Sequence, residues 1–441
     1  MEAVFSDAAL IADMLAFEAA LAAAEADEGV IPAGAAAAIA AACRIDGFDI
    51  DALVADARCA GSIAIPLVRR LTARVAASDA NAAAHVHRGS TSQDVIDTAM
   101  VLATRRALVL IDADLRRLAA SLTALAETHA ATPALARTLM QPAQVIGFGH
   151  AVMAWLAPLL RAESRLADAA ALALQLQFGG AVGTLAALGD AGDAVARRLG
   201  DRLGLAVPPA AWHTQRDSWV ALGCAVAVLC GSLGKIGRDL ALLAQGEVSE
   251  VAEARRPGRG GSSAMPNKRN PLAALVAIAA ATRAPQMAAT LLAAMPQEQQ
   301  RGLGNWQAEL AEWPGLFMTT HGALRALADA CESLEIDAPR MRANIEATRG
   351  AVFAEAVAAL LAPALGKAAA AERVAGWVAQ SANSGDGLES LALGAIATDA
   401  ALAGVDRAAL AAAFDVDAAA HRSAARVQAE LETMQHRARA C

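Results

Sequence analysis

The chain has 441 residues, enough to bury a large core, and its net charge of −8 argues against a general nucleic-acid-binding role. Hydrophobic residues make up 56%, much of it alanine, while aromatics are only 3% and tyrosine is absent. Alanine is the strongest helix former and strands favour β-branched and aromatic residues, so the composition predicts a nearly all-α protein and excludes a strand-rich one.

In chain order, the start from Met1 to Asp7 lacks the basic stretch of a secretory leader. The string from His87 to Thr98 places Gly89, Ser90, Thr91 and Ser92 before an amphipathic run, as at a capped helix start. Hydroxyls and backbone N–H groups at such a start also bind carboxylates. Leu108, Ile111, Leu115, Leu118, Leu122 and Leu125 then repeat at spacings of three and four, which predicts a long helix with one apolar stripe. Leu222, Val226, Leu229, Leu233, Ile236, Leu240 and Leu243 predict a second. Its glycines, Gly223, Gly231, Gly234 and Gly237, point to close approach of neighbouring helices. The apolar run from Trp219 to Leu233 is shorter than the ~18 to 20 residues a membrane span needs, so a buried central helix and no membrane partner are expected.

Breaks are predicted at Thr132-Pro133, from Gly179 to Gly189, at Pro208-Pro209, from Pro257 to Pro271 and around Pro339. They suggest an N-terminal helical domain over 1–104, a central bundle over 105–345 carrying a loop at 257–271, and a C-terminal helical domain over 346–441. Six cysteines lie scattered without a Cys-x-x-Cys, as expected of reduced thiols with no zinc site. No metal-binding His/Glu motif and no dinucleotide fingerprint occurs in the sequence, so neither a metal nor another cofactor is expected.

The loop itself is the most specific feature. Glycine-rich sequence leads into Gly261-Ser262-Ser263-Ala264-Met265-Pro266-Asn267-Lys268-Arg269-Asn270-Pro271. Hydroxyls, a cation and an amide on a mobile backbone suit a lid over an anionic substrate, and Pro271 suits the first residue of a helix whose N-terminus favours anions. The string resembles the signature loop of the fumarase/aspartase superfamily of homotetrameric lyases and cycloisomerases. Thr91-Ser92-Gln93-Asp94-Val95-Ile96-Asp97-Thr98 resembles the first signature region of that superfamily. Arg137-Thr138-Leu139-Met140-Gln141-Pro142-Ala143 resembles the second, except that lyases carry histidine where this chain has Leu139. Gln177 to Leu185, Trp212 to Asp217, and Trp306 to Glu309 with Arg301 before them are similar to the cycloisomerase branch, where the histidine is likewise absent.

The resemblance implies a three-domain, all-α fold with a central long-helix bundle. It implies a cytoplasmic homotetramer whose composite sites bind a small tricarboxylate and add one carboxylate across a double bond to give a lactone. By resemblance, Ser262 transfers the proton, Lys268 stabilises its alkoxide, and His87 lines the pocket. Thr91, Ser92, Thr138, Gln141, Gln215, Arg216, Asn270 and Arg301 are the expected substrate contacts, and Ser263 is the alternative to Ser262. Leucine at 139 is tolerable in such a reaction, because in the reverse direction the leaving group is a carboxylate of pKa near ~4 that departs without protonation. Two rivals are a lyase acting on a succinyl adduct and a non-catalytic structural relative.

Overall fold

The computed structural model describes residues 1–255, 260, 261, 265 and 268–440. The expected helical architecture is present, with long helices at Ser92–Thr128, Phe148–Ala173, Asp217–Leu243, Leu272–Ala293 and Asn305–Cys331. The chain forms two compact units, each assembled from three segments: Met1–Leu115, Arg161–Gly231 and Ala279–Arg325 in one, and Arg116–Leu160, Ser232–Ile278 and Ala326–Cys441 in the other. Every one of these boundaries except the chain termini falls inside one of the five long helices.

Both apolar stripes are buried as their spacing requires. Ile111, Leu115, Leu118 and Leu122 face inward along the Ser92–Thr128 helix, as do Leu222, Val226, Leu229, Leu233, Ile236 and Leu240 along Asp217–Leu243. In the first unit the few aromatics gather together. Trp219 stacks on Trp313 at 3.9 Å between centroids, Trp313 lies 5.2 Å from Phe317, and Trp313 Nε1 donates to Thr104 Oγ1 at 2.9 Å. In the second unit, the Ala354–Leu365 and Lys367–Ser384 helices close a separate cluster around Val357, Leu361, Val374, Trp377 and Leu388.

Two features depart from the sequence reading. Among the described residues there are two small antiparallel pairs, Pro133–Thr138 with Gln141–Gly147 and Val251–Ala252 with Glu335–Ile336. The first is a hairpin with Thr138 opposite Gln141, so its turn is Leu139-Met140, with φ of 48° and 66°. Two-residue hairpins favour such left-handed turns, normally built from Asn and Gly, and the missing Asn-Gly signal is why composition did not reveal it. Second, by length and composition both Asp217–Leu243 and Leu272–Ala293 would suffice to cross a membrane, a longer stretch than the run read from the sequence. In the first, 61% of the apolar window is packed inside the protein, which agrees with a central core helix.

Helix contact in the second unit depends on Gly237. A Cβ there would lie 2.9 Å from Ala277 Cβ and 3.0 Å from the carbonyl oxygen of Ala274. Alanine gains ~1 kcal/mol over glycine in a helix, but overpacking a tight contact costs ~1 to 3 kcal/mol. Gly237→Ala is therefore expected to lower the melting temperature in a calorimetric scan. A raised one would mean that the two helices can move apart freely.

Candidate active site

The first group of candidate residues is built around the start of the Ser92–Thr128 helix. Asp94, three residues past Thr91, turns back to accept the Thr91 N–H at 3.1 Å, one half of a capping box. The same carboxylate accepts from the N–H groups of Gly179 (3.1 Å) and Gly180 (2.9 Å) and contacts His213 Nε2 at 2.7 Å. It is completely buried. Gly180 has φ of 70°, and a Cβ on it would sit 2.8 Å from the Gly89 carbonyl oxygen, so only glycine brings these amides up to Asp94. Capping of Thr91 by Asp94 leaves the threonine hydroxyl to another partner: Arg301 Nη1 donates to it at 2.9 Å. Thr91, Ser92 and Arg301 are all half-buried, and Gln215 is exposed.

One helical turn on, Asp97 accepts from Gln93 (3.2 Å), Gln177 (3.3 Å), Trp306 Nε1 (2.9 Å) and Arg216 Nη1 (2.9 Å). Arg216 also donates through Nε to Glu309 at 3.0 Å and through Nη2 to the other Glu309 oxygen, and its guanidinium lies 4.4 Å from the Trp212 ring centroid. Burial by itself would lower the guanidinium pKa, but the charges of Asp97 and Glu309 outweigh this and hold it firmly protonated. Arg216 was expected among the cations that meet the substrate. In the structure it is 2% exposed and its charge is committed to two buried carboxylates, so it supports the site from beneath. Sequence reasoning left His213, Asp94 and Glu309 without roles. The available signal was the arginine inside Trp212-His213-Thr214-Gln215-Arg216-Asp217, since a buried arginine demands buried acids.

His87 stands four residues before Thr91 with φ of 60°, and its Nδ1 lies 2.6 Å from Glu18 Oε1. This contact, between residues 69 apart in sequence, was invisible in the one-dimensional pattern.

The second group lies in the other unit. Arg137 forms a forked pair with Glu250, at 2.6 Å and 3.0 Å, and Asn344 Nδ2 donates to the same carboxylate at 2.8 Å. This pins the hairpin one residue short of its tip, and Thr138 to Gln141 are left in solvent. Leu139, in the family histidine position, is 97% exposed. Lys268 and Asn270 line a cleft of ≈ 690 Å³ with Glu253, Arg269 and Glu335. Lys268 makes no ion pair with a described residue, whereas Arg269 bonds to Glu335 at 2.8 Å. The helix after Pro271 begins at Leu272, and its N-terminus already holds an anion. Glu253 accepts from the N–H groups of Ala273 at 2.9 Å and Ala274 at 3.2 Å. This helix end is therefore not open to a second anion. Ser262 and Ser263 lie outside the described residues.

Breaking the buried Arg216 pairs strands two carboxylates. Arg216→Met is expected to cost ~3 to 5 kcal/mol in a denaturant titration, and Arg216→Lys, a point charge in place of a fork, should recover only part of it. An unfolding midpoint unchanged in both variants would refute the scaffolding role.

This arrangement has close counterparts. A lyase family model matches residues 1–285. A 3-carboxy-cis,cis-muconate cycloisomerase of Bradyrhizobium diazoefficiens is 50% identical over 83% of this chain and 81% of its own length. A nitrosuccinate lyase of Streptomyces davaonensis is 44% identical over 84% and 80%. Among solved structures, the 3-carboxy-cis,cis-muconate lactonizing enzyme of Pseudomonas putida superposes with a TM-score of 0.91 at 40% identity, covering 99% of this chain and 97% of its own. With that identity sustained over nearly the whole fold, the chain belongs to the lyase family of the fumarase/aspartase superfamily, in its 3-carboxy-cis,cis-muconate cycloisomerase group.

Proposed function

We propose that the protein is an enzyme that interconverts 3-carboxy-cis,cis-muconate and a carboxymuconolactone. The observation that carries this reading is full-length similarity to cycloisomerases combined with Leu139 at the tip of the hairpin, where an acid for an amine or hydroxide leaving group would otherwise stand. In the forward direction a substrate carboxylate oxygen bonds to an alkene carbon. The displaced electron pair moves to the neighbouring carbon, where an activating carboxylate spreads the charge, and that carbon takes a proton. Ser262 is the assigned proton carrier by resemblance, with Lys268 stabilising its alkoxide. Thr91, Ser92, Gln215 and Arg301 from one group, and Thr138, Gln141, Lys268 and Asn270 from the other, bind the three carboxylates. Preorganised donors of this kind stabilise charge as it develops. Arg216 is assigned to the scaffold instead.

The two groups belong to different units of one chain, and we assign the working sites to a homotetramer in which several chains contribute. Support comes from apolar side chains left in solvent on the Leu272–Ala293 helix, where Leu275, Val276 and Leu292 are each 45% to 51% exposed, and from the hairpin tip with Leu139 and Met140. The reading places the enzyme in the cytoplasm, in the protocatechuate branch of the β-ketoadipate pathway. A lyase acting on a succinyl adduct, of the adenylosuccinate or argininosuccinate type, is the second reading; the 44% identity to a nitrosuccinate lyase is lower than the 50% to the cycloisomerase and does not favour it.

A spectrophotometric assay with 3-carboxymuconate, nitrosuccinate, adenylosuccinate and argininosuccinate separates the two. Turnover of the muconate alone is expected, and preferential cleavage of any succinate adduct would install the lyase reading. On the active substrate, Ser262→Ala should lower kcat on the order of a hundredfold with little change in KM, whereas Lys268→Ala should impair both. A Ser263→Ala variant more damaged than Ser262→Ala would transfer the proton to Ser263. For the composite site, Thr91→Val and Lys268→Ala chains refolded together should regain part of the activity that each lacks alone. A fully active monomer in sedimentation would rule the composite site out.

A further inference from the structure

Beneath His87, the Asp7–Asp27 helix carries two acids whose burial its packing does not require. Glu18 and Glu25 are seven residues apart, so they share one face, and they are 1% and 0% exposed. One Glu18 oxygen meets His87 Nδ1 at 2.6 Å. The other Glu18 oxygen and both Glu25 oxygens are buried with no hydrogen-bond partner among the described residues. Leaving a carboxyl in that state is costly, and an alanine-rich helix offers no reason to place one there. The His87 ring keeps 17% of its surface exposed, and no described residue hydrogen-bonds its Nε2.

From this geometry we propose that Glu18 is a positioning residue: it takes the Nδ1–H of His87 and holds the ring as an imidazolium whose Nε2–H is offered to a carboxylate of the substrate beside Thr91. The proposal rests on the substrate-pocket reading given above. Its chemistry follows from the tautomers. With Nδ1–H given to Glu18, a neutral imidazole would present a lone pair at Nε2 and repel a carboxylate, so only the doubly protonated ring can donate there. The surrounding charges act in that direction. Burial alone would lower the His87 pKa, but the charge and hydrogen bond of Glu18, followed by Asp94 and Glu25, outweigh it and raise it above 6.5. Burial pushes Glu25 up to about 8, with Arg88 opposing, so near pH 7 it is mostly protonated, its charge adds little at His87, and the pairing is left to Glu18. Cys43, also close to Glu18, has its thiol pushed up to about 12 by burial and adds no charge.

The test is a titration of full-length protein labelled at histidine, followed by NMR without substrate, with the His87 signal assigned from a His87→Gln spectrum. In wild type, His87 should titrate above 6.5, with both ring nitrogens protonated on the acid side of that midpoint. Glu18→Gln keeps the shape and removes the charge, and should lower the midpoint, because the largest upward influence is lost and only Asp94 still opposes burial. Glu25→Gln, which mimics the neutral acid, should leave the midpoint in place. The alkaline limb of kcat/KM should follow, so that Glu18→Gln loses activity about tenfold per pH unit across a range where wild type is still on its plateau. An unchanged midpoint in Glu18→Gln would overturn the proposal, as would a Glu25→Gln shift of equal size. Should Glu18→Gln fail to fold, wild type decides alone: a midpoint at or below 6.5 refutes the idea. Because the titration needs no substrate, it stands apart from the choice between cycloisomerase and lyase.

Discussion

The constraint on which the first unit depends is the burial of two carboxylates, Asp94 and Asp97, within the first two turns of the Ser92–Thr128 helix. An ionised acid removed from water is costly unless several donors surround it. Here the donors come from three separate stretches of chain: the glycine amides at 179 and 180, His213 with Arg216, and Trp306. Satisfying the acids therefore folds those stretches onto the helix start. The hydroxyl of Thr91 and the guanidinium of Arg301 come to rest above as a consequence. The strength of such a network lies in completeness, since each donor removed exposes the desolvation cost of the whole.

The second unit solves the same problem with a different geometry. Glu250, 1% exposed, takes the Arg137 fork and the Asn344 amide, and this anchors a hairpin whose tip is left in solvent. Anchoring the strand just before an exposed tip lets the tip residue vary without disturbing the fold. Leucine at 139 exploits that freedom. A side chain 97% exposed in this chain makes no contribution to its core, so its identity answers to chemistry or to another chain.

Local and tertiary devices also compete for the same anions. Glu253 occupies the N-terminus of the Leu272–Ala293 helix, a position that would otherwise suit a substrate carboxylate. Glu18 follows a related logic at His87, where a buried acid supplies the charge balance that an exposed imidazole would draw from solvent.

Much of this was legible in the sequence. The three-and-four spacing of Leu222 to Leu243 determined a long buried helix, because only one face can satisfy that period. The strings at 91–98, 137–143 and 261–271 carried the resemblance to the superfamily, because together they match its three signature regions. Local sequence could not decide which polar residues face one another. Arg216 reads as a substrate cation until Asp97 and Glu309 close on it. His213 has no role until it meets Asp94, and His87 reads as a pocket residue without a partner until Glu18, 69 residues earlier, is found beneath it. Charges act through space and separate by burial, so the partner of each ionised group was settled only when the tertiary structure removed it from water.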